Sequence, residues 1–222
     1  MRRPSVAVLP FALLAGACAS RPEPVAVVAP PPVVATLPAP MPAGASPGMA
    51  VPARGVDGAY LTPNRALSAD GAAWHLRTGL NVAALACRGA GEASTVARYN
   101  ALLGAQRDAL AAAGAGLEAE YRAAHAAEWR DRHDDAMTRL YNYWSLQPAR
   151  DGFCAAADAV LAEAATVPPE MFAARAGRWL AALDRPFTDF FAAYDAWRGV
   201  RAPVAVASAP RIEVDPIVFR LP

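Results

Sequence analysis

The fold is decided by the stretch Ser68-Ala69-Asp70-Gly71-Ala72-Ala73-Trp74-His75-Leu76-Arg77-Thr78-Gly79-Leu80-Asn81-Val82-Ala83-Ala84-Leu85-Ala86-Cys87. Leu76, Leu80, Ala83 or Ala84, and Cys87 recur at steps of three and four, and Trp74, Val82 and Leu85 widen the stripe. That spacing puts the apolar side chains on one side of a helix. Ser68 is the predicted N-cap and Asp70 adds negative charge to the first turn, where unpaired amides point outward. Gly89 and Gly91 end the helix.

Working outward, Ser94 is the predicted cap of a long second helix carrying Tyr99, Leu102, Leu103, Gln106, Leu110, Ala113, Leu117 and Tyr121 on a narrow seam. Gly114 and Gly116 weaken its middle by up to about 1 kcal/mol each, which predicts a kink or close packing. A charged segment follows. Ala136, Met137, Leu140, Tyr141 and Trp144 then resume an apolar face that stops before Pro148. Asp151 is the predicted cap of a short helix with Cys154, Ala157, Leu161 and Ala164 on one side. Pro168 and Pro169 open another, faced by Phe172, Ala176, Trp179 and Leu183. Pro186 either kinks that helix or starts a new one bearing Phe187, Phe190, Tyr194 and Trp197, and Gly199 is the predicted stop. The expectation is an all-α bundle of five or six helices over residues 67–199. Residues 200–222 form an extended tail in which 211–214 and 217–219 suit extended backbone.

The N-terminal end has a different character. Arg2 and Arg3, the apolar run 6–14 and the small residues Ala15-Gly16-Ala17 have the layout of a secretory signal over residues 1–17, too short to span a bilayer as a helix. Residues 18–66 read as a linker. No residue from Pro24 to Ala53 is charged, but ten prolines between Arg21 and Ala53 exclude a regular helix. Extended at about 3.1 Å per residue, residues 19–56 would reach roughly 120 Å as a semi-rigid spacer, unless they are plain disordered filler.

Leu14-Ala15-Gly16-Ala17-Cys18 resembles the bacterial lipobox, with Ala15 where leucine is preferred. The resemblance implies cleavage before Cys18 and attachment of an acyl lipid anchor there. Ordinary signal-peptidase cleavage at Ala15-Gly16-Ala17 is the rival outcome. Ala19 follows the cysteine with no aspartate, which under the aspartate retention rule implies the outer membrane, facing the periplasm. Beyond this segment the domain looks like many uncharacterised exported helical proteins, a likeness that assigns no residue.

Three cysteines in an exported chain leave one over if a bridge forms. With Cys18 as lipid carrier, Cys87 and Cys154 remain as a pair on the inward stripes of two helices. A disulfide between them would close a loop worth roughly 4 kcal/mol in the chain-entropy model; the alternative is two buried thiols.

Composition excludes some chemistry. All 21 basic residues are arginine, so no Schiff-base or P-loop lysine exists. A net charge of +1 gives no footprint for nucleic acid. Loss of Arg2 and Arg3 with the leader leaves 19 arginines against 20 acids. Gly44-Ala45-Ser46-Pro47-Gly48 matches a nucleophile-elbow pattern by letter, but Pro47 lacks the amide that an oxyanion hole needs. Residues 114–119 match a dinucleotide fingerprint by letter, with no strand before them.

Four groups remain as site candidates. His125, Glu128, His133 and Asp134 lie in a charged run, 125–135, that could approach a metal if helical, although the interleaved arginines would repel a cation and a solvated face explains the same residues. Glu118, Glu120 and Glu128 could supply the general acid of a muramidase-like hydrolase if one sat in an apolar cleft. Tyr143 and Trp144, on a different face from Tyr141, are the candidate docking surface. His75 and Asn81, among apolar neighbours on the first helix, read as satisfied core groups or as part of a pocket. No cofactor is indicated. The expectation is a non-catalytic envelope lipoprotein whose tethered helical domain binds another envelope protein or the cell wall (peptidoglycan). The alternative is an envelope hydrolase, muramidase-like or metal-dependent, acting near residues 118–135.

Overall fold

A computed structural model describes residues 39–89 and 91–201. The expected signal, Cys18 and residues 202–222 lie outside the described residues. Six α-helices form the described part: α1 (Ala69–Ala86), α2 (Glu92–Ala105), α3 (Arg107–His125), α4 (Trp129–Trp144), α5 (Arg150–Ala164) and α6 (Pro169–Arg201). Single 3-10 turns at Ala126–Glu128 and Gln147–Ala149 link α3 to α4 and α4 to α5. Among the described residues the only β-type pairing is an isolated antiparallel bridge between Arg54 and Tyr60. The all-α bundle expected from periodicity is the observed fold.

The stretch 68–87 forms the centre of it. Ser68 Oγ accepts from the Gly71 amide at 2.9 Å, as a cap should. Leu76, Leu80 and Ala83 are fully buried, and α1 packs against every other helix, most extensively α6 and α3. Such crowding around one helix requires small residues where backbones approach. A β-carbon at Gly79 would lie 2.9 Å from Leu183 and 3.0 Å from the Trp144 ring, and one at Gly114 would lie 2.8 Å from the Trp74 ring. Gly114 therefore serves close packing of α3 on α1, and the helix runs through it without a break.

The break in the expected long helix falls instead at Gln106, which ends α2 and precedes α3. Its side chain is fully buried and donates from Nε2 to the Val167 carbonyl at 2.8 Å, tying the interruption to the α5–α6 loop. Two expected caps are displaced. Gly91 caps α2, and Ser94 Oγ donates back to the Gly91 carbonyl; Ala149 precedes α5, with Asp151 in its first turn. Nor does α6 stop or restart at Pro186, or end at Gly199: it runs for 33 residues, to Arg201. An interior proline removes one ladder hydrogen bond and crowds the preceding turn. Burial of Phe187, Phe190, Phe191 and Tyr194 just beyond it offsets that loss, and Gly152 on α5 leaves room for the proline ring.

Cys87, just past α1, and Cys154 on α5 form a disulfide, their Cα atoms 5.7 Å apart across 67 residues of sequence. The expected linker boundary at residue 66 is too late. Ala45, Met49 and Val51 pack against the core, Tyr60 and Thr62 are buried, and the Tyr194 hydroxyl donates to the Ser46 carbonyl at 3.0 Å. Prolines forbid a helix here but not docking, and the apolar side chains between them gain by leaving water.

Candidate functional site

Residues 54–67 run along α6 and are fastened to it by side chains rather than by backbone. Tyr60, stacked edge-on against Phe191, donates to Asp195 Oδ2 at 2.7 Å and accepts from Arg54 at 2.6 Å. Further along, Asp184 on α6 accepts from Asn64 Nδ2 at 2.5 Å and from the Tyr143 hydroxyl at 2.7 Å, both through Oδ1. Thr62 Oγ1 lies 3.4 Å from Oδ2. The amide nitrogen of Asn64 is thereby committed to the carboxylate, so its oxygen faces His75 Nδ1 at 3.0 Å. The imidazole must carry its proton on Nδ1.

This chain of groups spans the irregular segment, α1, α4 and α6. Burial raises the Asp184 carboxyl above its usual range, against the three hydrogen bonds that lower it. Burial and then the Asp184 charge push the Tyr143 hydroxyl far up. Burial alone takes His75 down to about 4, so the ring is neutral at ordinary pH. No arginine or histidine among the described residues forms an ion pair with Asp184.

A cleft of about 310 Å³ opens onto Asp184 and Asn64, walled by Leu67, Ala72, Gly177 and Ala181. Ala66 on its rim holds a left-handed backbone, φ 53°, unusual for a residue with a side chain. A second depression, lined by Ala66, Leu67, Leu117, Tyr121 and His125, shares residues with the first.

The candidates in the charged run meet at the α3–α4 hairpin tip without making a metal site. Tyr121 lies between the two imidazoles, 5.7 Å from His125 and 5.1 Å from His133 between ring centres. Glu128 pairs with Arg132 at 3.0 Å, and Asp134 is turned to His133 at 3.5 Å. Among the described residues no three histidine, cysteine or acidic side chains converge as metal ligands. Glu118 likewise pairs with Arg122 at 2.7 Å on the helix surface. The two glutamate–arginine pairs are solvated i,i+4 pairs, worth little individually. An open depression of about 660 Å³ at this tip is bordered by His125, Arg132 and Arg139.

The docking surface expected at Tyr143 and Trp144 is corrected by the packing. Trp144 is 2% exposed and stacks on Phe153; Tyr143 lies against Phe187 at 4.7 Å and gives its hydroxyl to Asp184. Both rings face the α5–α6 aromatic core, while Tyr141 is the exposed one. His75 is a satisfied buried group, as one reading of the sequence allowed, and half-buried Asn81 lies beside the Tyr99 hydroxyl.

Sequence reasoning missed Asp184, Asn64 and Thr62. Their separations of 120 and 122 residues leave no local pattern. The one available signal was Asp184 directly after buried Leu183 on an otherwise apolar face. Comparison with known proteins returns no match: no family model fits the chain, and neither curated proteins nor solved structures resemble it.

Proposed function

We propose that this chain is an exported, non-catalytic envelope lipoprotein, with lipid at Cys18 and a disulfide-stapled helical domain that binds another envelope component, protein or cell wall. The observation that carries the reading is the pairing of Cys87 with Cys154. A structural disulfide suits an oxidising compartment, and this pair leaves Cys18 as the unmatched cysteine, beside the signal-like leader. No helix among the described residues is long and apolar enough to cross a membrane.

The test is the intact mass of protein purified from its native membrane fraction, with and without reductant. The expected species starts at Cys18, carries acyl mass and gains about two hydrogens on reduction. An unacylated chain in the soluble fraction would remove the anchor. A hydrolase acting near residues 118–135 would lose activity on purified wall material in the Glu128→Ala/His133→Ala double variant. A domain that binds through another surface keeps its binding in that variant, which removes the exposed Glu128–Arg132 pair and the His133–Tyr121 ring contact at the hairpin tip.

A further inference from the structure

We infer that the cleft beneath Asn64 and Asp184 is a binding site for the primary ammonium group of a small ligand. The inference gives a ligand class to the binding role proposed above and rests on it only in taking the domain to bind rather than to catalyse; the anchor plays no part.

The geometry of Asp184 carries this, and two features of the cleft around it are in keeping with it. First, Asp184 is a mostly buried carboxylate held by neutral donors alone. Its Oδ1 is filled by Asn64 and Tyr143, whereas Oδ2 has only the long approach of Thr62 at 3.4 Å. A buried carboxylate is ordinarily matched by a cation, and none among the described residues supplies one. An ammonium group carries three donors and fits a carboxylate oxygen with free lone pairs.

Second, Gly177 lies inside the 33-residue α6 and lines the cleft. Glycine weakens a helix interior, and such a glycine usually answers a close contact. Gly79, Gly114 and Gly152 do so here, whereas a β-carbon at Gly177 would meet nothing within 4 Å, as at Gly104 of α2 and Gly199 near the end of α6; of these three only Gly177 lines the cleft. Gly177 is exposed, and the missing side chain leaves open the mouth of the cleft that it lines together with Asp184.

Third, Ala66 holds its left-handed backbone at the rim, directly before Leu67, which walls the cleft, and two residues after the Asn64 anchor. The remaining walls, Ala72, Leu180 and Ala181, are apolar and suit the carbon skeleton that bears the amine.

The experiment uses the full mature chain and n-butylammonium chloride as probe, at matched ionic strength and pH 7, following the Asn64 side-chain amide by NMR. That amide donates to Asp184 and reports directly on the site. The expected result is a saturable shift, absent with n-butanol and weakened at least tenfold in both Asp184→Asn and Gly177→Leu. Gly177→Leu fills the cleft without touching the Asp184 hydrogen bonds and should melt no lower than the wild type, so it decides the matter even if Asp184→Asn fails to fold. A non-saturable response, equal binding of the alcohol, or undiminished binding by Gly177→Leu would overturn the inference. None of these outcomes bears on acylation of Cys18, which the mass measurement reads separately.

Discussion

Asp184 and His75 sit at opposite ends of one buried relay, and their burial pushes stability in opposite directions with pH. His75 titrates near 4 when folded and near 6.5 when unfolded. Its contribution is therefore complete above pH 6.5 and lost as pH falls towards 4, a difference of roughly 3 kcal/mol. His75→Gln should flatten that part of the profile in urea unfolding measured between pH 4 and 7. Asp184 is raised, so its contribution is complete below the unfolded carboxyl pKa and is lost as pH rises through the folded value. Asp184→Asn should accordingly gain on the wild type as pH rises from 4 to 7, in the same assay. Neither residue could be assigned its partners from sequence. Periodicity reports which face of a helix is apolar, and it is silent on which distant polar atom an inward-facing aspartate will meet.

At the level of elements, the stripes of α1, α5 and α6 were legible because burial imposes a period of three to four on apolar residues. Their ends and interruptions were not. Gln106 breaks the α2–α3 helix through a hydrogen bond to Val167, 61 residues away, and Pro186 is tolerated because of rings that pack after it. The glycines of α3 separate two effects that look identical in sequence. At Gly114 an added β-carbon meets the rigid Trp74 ring at 2.8 Å, so Gly114→Ala should destabilise by about 1–3 kcal/mol. At Gly116 it meets the Asp70 carboxylate, which can rotate away, and also Asp70 Cβ at 3.1 Å, which rotation leaves in place. Gly116→Ala should therefore cost less than Gly114→Ala, because the flexible Asp70 side chain yields where the Trp74 ring does not and helix propensity returns up to about 1 kcal/mol. Thermal melts of the two variants side by side check both.

Across the whole molecule the one long-range link readable in advance was Cys87–Cys154, since cysteine number and inward placement left few alternatives. It joins the end of α1 to α5. Cys87→Ser/Cys154→Ser should lose about 4 kcal/mol of unfolding free energy, in line with the 67-residue separation, and the wild type should approach that variant on reduction. The docking of residues 45–64 onto α6 was not readable, because a proline-rich, uncharged stretch has the composition of a spacer whether or not a partner surface awaits it.

That docking has a mechanical consequence. Tension arriving along the chain from its N-terminal side does not reach α1 first; it meets the Ser46–Tyr194 hydrogen bond and then the Tyr60–Asp195 and Asn64–Asp184 fastenings in turn. The central helix is thus shielded by a strap that must peel, fastening by fastening, before the core bears any load.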